Sequence, residues 1–229
     1  MDLKSVSAKR KSKALRIICI SSVVVLILFA IILFMLTRTP AHYQPAKPQN
    51  TNEVSQYLTN YLAPEIHNKS QIDEPFEVLI AQQGLNDIIA RGPWPVKLNG
   101  LTIFDPAVVL SPDRIMLMAT VKYARLPVVV TVAMSPHLDE ARLLHLNLRS
   151  VKAGSANITS LAKELAEKIV TVHLGKVDSN AWADDISAAL LQNKSFDPVF
   201  TAYDRQIRLT RIDISDTKAL LRFTPQVNH

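Results

Sequence analysis

LLHLNLRSV, residues 143–151, is the cleanest alternating segment in the chain. Leu144, Leu146 and Leu148 share one parity and His145, Asn147 and Arg149 the other. A period of two predicts a β-strand with one face on a core and one toward solvent. Upstream, Leu126–Ala133 contains Val128-Val129-Val130, and Arg114–Tyr123 places Ile115, Leu117, Ala119 and Val121 on one face. Met116 and Met118 make the second face of that strand apolar as well, so cover on both sides is expected there. Ser135-Pro136-His137-Leu138-Asp139-Glu140 and Ser111-Pro112-Asp113 read as turns, and Asp105-Pro106 as a break. Asn99-Gly100 between apolar residues is a two-residue hairpin signal. Turn signals at such short intervals predict an antiparallel meander.

The flanks are mixed. Downstream, Leu161, Leu165, Ile169 and Val172 form one stripe opposite Lys163, Glu164, Glu167 and Lys168, which predicts an amphipathic helix over 161–174. A second helix is expected from Ser179 to about Gln192. Strands are expected at Phe196–Tyr203, Gln206–Ile214 and Lys218–Phe223. Ile207 and Leu209 have one parity and Ile212 and Ile214 the other, so a bulge is predicted near Thr210-Arg211. Upstream of the meander, Val54, Tyr57, Leu58, Tyr61 and Leu62 predict a helix that Asn52 caps and Pro64 closes. Phe76–Ile80 reads as a strand and 82–91 as a short helix burying Leu85, Ile88 and Ile89. The fold class expected is α+β: a curled antiparallel β meander with packed helices.

The N-terminus is of another kind. Residues 17–36, IICISSVVVLILFAIILFML, carry no charge between Arg16 and Arg38. A helix of that length spans a hydrocarbon core of roughly 30 Å and satisfies its own main chain. The run is too long for a signal peptide and no small-x-small site follows it, so an uncleaved signal anchor is expected. Residues 1–16 form a basic tail whose six Lys and Arg side chains face only Asp2, which accounts for +5 of the chain's net +6. The positive-inside rule reads that tail as cytoplasmic and residues 52–229 as an extracytoplasmic domain of a single-pass cell-membrane protein. Residues 37–51, with Pro40, Pro45 and Pro48, read as a semi-stiff linker. Because the domain is near neutral, the basicity gives no nucleic-acid footprint.

The order of these elements resembles a known group. The strand Phe76–Ile80 followed by a Leu85-Asn86 helix resembles the opening of small bacterial anchored domains. The run Leu146-Asn147-Leu148-Arg149-Ser150-Val151-Lys152-Ala153-Gly154 leading into helices is similar to them too. So is the close from Ile207 to Phe223, with Arg211-Ile212-Asp213-Ile214 and a Leu-Arg-Phe end. The chain resembles YpmS-like membrane-anchored domains and, more distantly, tubular lipid-binding (TULIP-type) domains. That resemblance implies a curled sheet around a helix, enclosing an apolar groove or a solid core, with no catalytic residues.

The residues themselves offer little chemistry. Cys19, the single cysteine, lies in the apolar run, so the domain has no disulfide, cysteine nucleophile or Cys-based metal site. Five glycines make no phosphate-binding loop, no serine sits in a GxSxG elbow, and six histidines show no HExxH spacing. Neither enzyme activity, a metal nor a cofactor is expected. Two roles stand side by side. In one, the domain binds a lipid or other apolar envelope molecule in a groove lined by Ile88, Ile89, Leu117, Met118, Val130, Leu146, Leu165 and Ile169. In the other, it is a scaffold or interaction subunit with protein partners in a cell-envelope assembly of secretion, division or pilus type. In both, the lipid bilayer is a partner through residues 17–36.

Overall fold

The structure is a computed structural model describing residues 3–51, 53–98, 100–124, 126–162, 164 and 181–226. Helix α1 runs from Leu3 to Thr37 and contains one stretch, Cys19–Thr37, long and apolar enough to cross a membrane. Beyond it, the described residues form ten strands in two antiparallel sheets, with short helices between them. The α+β meander expected from the alternating segments is what the chain forms.

The larger sheet is a six-stranded meander in chain order: β2 (Val96–Leu98), β3 (Leu101–Ser111), β4 (Arg114–Tyr123), β5 (Leu126–Leu138), β6 (Leu144–Ala153) and β7 (Ala156–Asn157). Leu98 pairs with Leu101 around Gly100, which takes φ +81°, so the predicted two-residue hairpin forms. Asp105-Pro106 does not break the chain. It is a bulge inside β3, where the register with β4 shifts between Phe104 and Ala107 and Asp105 takes φ +51°. Ser135–Leu138 differs from expectation too, continuing β5 instead of turning. The pairing of β4 stops at Met134, so Pro136 lies where β5 is bonded only to β6 and has an open edge, the place a strand tolerates proline. The turn is 139–143, where the Asp139 carboxylate accepts the Leu143 N–H at 2.9 Å.

The smaller sheet has the order β1 (Phe76–Ala81), β10 (Lys218–Pro225), β9 (Arg205–Ser215), β8 (Val199–Ala202). Its β9–β10 register shifts opposite Thr210, which is the residue left unpaired, as the parity change from Leu209 to Ile212 requires. The bulge keeps Ile207, Leu209, Ile212 and Ile214 on one buried face.

Short helical segments complete the described fold. A π-turn, Leu58–Leu62, runs straight into α2, Ala63–Ser70, so Pro64 sits in a first turn instead of ending a helix. The wider turn, in which the Ala63 N–H reaches back to the Leu58 carbonyl, lets the helical path pass Pro64 without the clash proline causes in a regular helix interior. Ser55 starts this segment: its hydroxyl accepts the Leu58 N–H and its carbonyl the Thr59 N–H. Asn52, the expected cap, lies outside the described residues. Helix α3 is Gln82–Ala90 and α4 is Ala181–Gln192. Most of the amphipathic helix expected at 161–174 lies outside the described residues.

The core sits where the inner face of the small sheet meets one end of the large one. Phe76, Val78, Ile207, Leu209 and Phe223 pack with Leu62 and with Leu144 of β6. Val108 and Leu110 of β3 pack on Ile214 and Ala219 beneath α3. On the other side of the large sheet, Ala107, Met118 and Val129 form a separate cluster covered by Tyr43. The proline-bearing segment expected as a spacer therefore lies along the sheet: the Tyr43 hydroxyl donates to the Asp105 carbonyl at 2.6 Å and pairs with Thr120 Oγ1 at 2.7 Å.

Candidate functional site: an apolar cavity on the small sheet

Leu58, Leu62 and Ile66 recur every four residues, which puts them on one side of the helical segment facing the small sheet. Opposite them stand Ile207, Leu209, Leu221 and Phe223, held on one face by the bulge at Thr210. The two walls do not close. Between them lies a cavity of about 490 Å³, within the usual range for small-molecule sites, and Phe200 and Ala202 of β8 form its end. Thr201 and Tyr203 are the only polar residues on its lining.

Polar contacts tie the helical wall to the small sheet. Lys69 on α2 donates to Glu65 at 2.7 Å and to the Glu77 carbonyl of β1 at 2.6 Å, fixing the helix to the sheet edge. Arg205, just past the β8–β9 turn, pairs with Asp73 in the loop after α2. Tyr203 occupies that turn at φ +59° and is 61% exposed. Its ring meets His67 edge-on, with centroids 4.5 Å apart. His67 Nδ1 is buried and has no hydrogen-bond partner among the described residues. An apolar chamber whose lining includes a threonine and an exposed tyrosine suits a molecule with an apolar body and a small polar end.

Of the eight residues singled out from the sequence, the six that are described do not line this cavity. Ile88 and Leu146 pack at the edge of the main core, and Ile89 packs on the Val108–Ile214 cluster. Met118 is buried under Tyr43, whereas Leu117 faces the opposite side of β4 and is 41% exposed. Val130 lies on Leu117's side, since it pairs with Ala119. These six positions thus fall on both faces of the large sheet. Leu165 and Ile169 lie outside the described residues. The lining residues carry a legible signal, the i, i+4, i+8 spacing of Leu58, Leu62 and Ile66, but that spacing reads equally as core.

Titratable groups gather elsewhere. His145 Nε2 lies 2.9 Å from Asp139 Oδ2 and its ring stacks on His137 at 4.8 Å. The hydrogen bond from His145, followed by the Leu143 N–H, holds the Asp139 carboxyl below its usual range. This group staples the β5–β6 turn. Asp87 of α3 is held low first by the Ser55 hydroxyl and then by Arg91, whose Nε lies 3.0 Å away. Among the described residues no three His, Cys, Asp or Glu side chains converge as metal ligands would. No family model, curated protein or solved structure matches the chain.

Proposed function

We propose that the chain is a single-pass membrane protein whose extracytoplasmic α+β domain holds a lipid acyl chain or a comparable apolar molecule, without catalysing a reaction on it. The cavity of about 490 Å³ between α2 and the small sheet, with its almost wholly apolar lining, carries this reading. Water held against such walls gains little hydrogen bonding, so an apolar occupant is favoured. The basic tail and the Cys19–Thr37 helix support anchorage with the domain outside the cytoplasm. The resemblance to tubular lipid-binding domains implies a curled sheet around a helix with either an apolar groove or a solid core, and the cavity favours the groove.

The test is titration of the detergent-solubilised full chain with a fluorescent fatty-acid analogue, beside Ala202→Trp, which puts an indole into the chamber. Saturable one-to-one binding that the variant weakens by about tenfold or more, a change of roughly 1.4 kcal/mol, is expected. Absence of saturable binding, or equal binding by a folded variant, overturns the reading.

A further inference from the structure

A second pocket lies where the apolar helix meets the domain. The Met35 carbonyl near the end of α1 accepts the Ser155 N–H at 2.9 Å and the Ser155 hydroxyl at 3.1 Å. The turn from β6 to β7 is thereby fixed to the last turn of the apolar helix. From Arg38 the chain crosses the face of the large sheet until Tyr43 pins it on Thr120. Under this strap is a pocket of about 360 Å³, whose lining includes Arg38, His42, Met116, Met118, Thr131 and Lys152.

Three of those six are basic and no acidic side chain lines the pocket. Among the described residues neither Arg38 nor Lys152 has an ion pair. Thr131 is 7% exposed, and its hydroxyl has no hydrogen-bond partner among the described residues. A buried hydroxyl left unpaired is unfavourable unless something reaches it. Two cations and a free hydroxyl over an apolar floor of methionines match an anionic oxygen group attached to an apolar tail.

Position selects among such groups. The pocket begins one residue past the membrane-length helix, at the depth of lipid headgroups. The hairpin tips at the same end of the large sheet expose Leu98, Leu126 and Tyr123, the last at 68%. Apolar and tyrosine side chains at a membrane-proximal edge belong to the interfacial layer. We propose that this pocket binds the phosphate headgroup of a net-anionic lipid from the leaflet on the domain's side, with Arg38 and Lys152 contacting the phosphate and Thr131 donating to it. The proposal rests on the membrane-span reading above and is independent of the ligand in the apolar cavity.

The experiment places the full chain in nanodiscs of phosphatidylcholine with a minority of phosphatidylglycerol, and measures by native mass spectrometry which lipid stays bound after extraction. One phosphatidylglycerol per chain is expected, enriched over its share of the bilayer. The double variant Arg38→Gln/Lys152→Gln is expected to lower that enrichment by about tenfold. Thr131→Val is expected to lower it by a smaller factor while melting cooperatively. Equal retention of both lipids, or undiminished enrichment in the double variant, overturns the proposal. Displacement of the bound lipid by millimolar inorganic phosphate would identify a free-phosphate site and overturn the lipid assignment. Resistance of the wild-type chain to carbonate extraction from membranes reports the span separately, and fatty-acid titration of the double variant reports the apolar cavity.

Discussion

Asn86 and Val108 exchange two hydrogen bonds: Asn86 Nδ2 donates to the Val108 carbonyl at 2.9 Å, and the Val108 N–H donates to Asn86 Oδ1 at 2.6 Å. A side chain on α3 thus does what a neighbouring strand would do. The reason lies in the lengths of the strands. β2 reaches only as far as Ile103 on β3, so the β3 edge from Ala107 onward has no strand beside it. Asn86 and Gln82, which accepts the Leu110 N–H at 2.7 Å, fill that edge and set α3 over the Val108–Ile214 cluster.

Replacing Asn86 with leucine keeps the volume and leaves a buried N–H and a buried carbonyl of Val108 unpaired. Each such group costs about 1–3 kcal/mol, so Asn86→Leu is expected to destabilise the domain by roughly 2–4 kcal/mol. Denaturant unfolding of the full chain should show a lower midpoint at unchanged slope. Gln82→Leu, at a less buried position, should cost clearly less. Equal costs would mean the edge is satisfied by water in both cases.

Tyr43 tests the strap. Its phenol meets Asp105 and Thr120, and burial is the main cause that raises its pKa above the ordinary 10.0. Because the folded pKa is raised, this contribution is fully present below the unfolded value and is lost as the pH climbs from there through the folded value. Tyr43→Phe removes the shared hydroxyl and is expected to cost about 1–2 kcal/mol. Hydrogen exchange should then quicken around residues 40–46, while the small sheet keeps its protection. Loss of stability above about pH 10 should be shallower in the variant than in the parent. Unchanged exchange over 40–46 would show that the segment is not held by this contact.

Much of this architecture was legible in residue patterns, and the failures share a cause. Leu144, Leu146 and Leu148 announce a strand because a half-buried sheet imposes a period of two. The parity change between Leu209 and Ile212 announces the bulge at Thr210 because only an extra residue keeps both on one face. Pro136 misleads because proline's meaning depends on whether the strand beside it has ended, a fact of pairing and not of sequence. Pro64 misleads too, since the π-turn before it lets the helical path continue past it. The apolar cavity is illegible for a further reason. Leu58, Leu62 and Ile66 have the same spacing whether the opposite wall touches them or stands off, and that depends on contacts between elements, such as Lys69 with the Glu77 carbonyl and Arg205 with Asp73, which the spacing does not encode.

The Ser55–Asp87–Arg91 group gives an acid dependence with a defined sign. The Ser55 hydroxyl, then Arg91, hold the Asp87 carboxyl below its ordinary 3.8. A carboxyl lowered by folding contributes stability above its unfolded pKa, and that contribution disappears as the pH falls through the folded value. Wild type is therefore expected to exceed Asp87→Asn in melting temperature at neutral pH, with the gap closing below about pH 4. Asp139, lowered by His145, acts in the same direction and remains in the variant, so some acid dependence persists. A gap that stays constant from neutral pH to about pH 2.5 would mean that Asp87 matters through packing and not through its charge.

Gly154 decides how closely the apolar N-terminal helix and the domain are joined. It takes φ +57°, and a Cβ there would stand 2.3 Å from the Met35 carbonyl oxygen and 2.4 Å from that of Leu36. Gly100 also has positive φ, +81°, yet nothing lies within 4 Å of its missing Cβ. Alanine at either position pays the left-handed backbone cost of about 1–2 kcal/mol. At Gly154 alone it also collides with main-chain oxygens that cannot swing aside, so the Met35–Ser155 hydrogen bonds must break. Gly154→Ala is therefore expected to melt lower than Gly100→Ala, and to become sensitive to proteolysis between Arg38 and Lys47. Lipid headgroup retention at Arg38 and Lys152 should fall with it, because the pocket's two sides part when the junction opens. Equal melting and equal proteolysis in the two variants would show that the helix end is not seated on the β6–β7 turn.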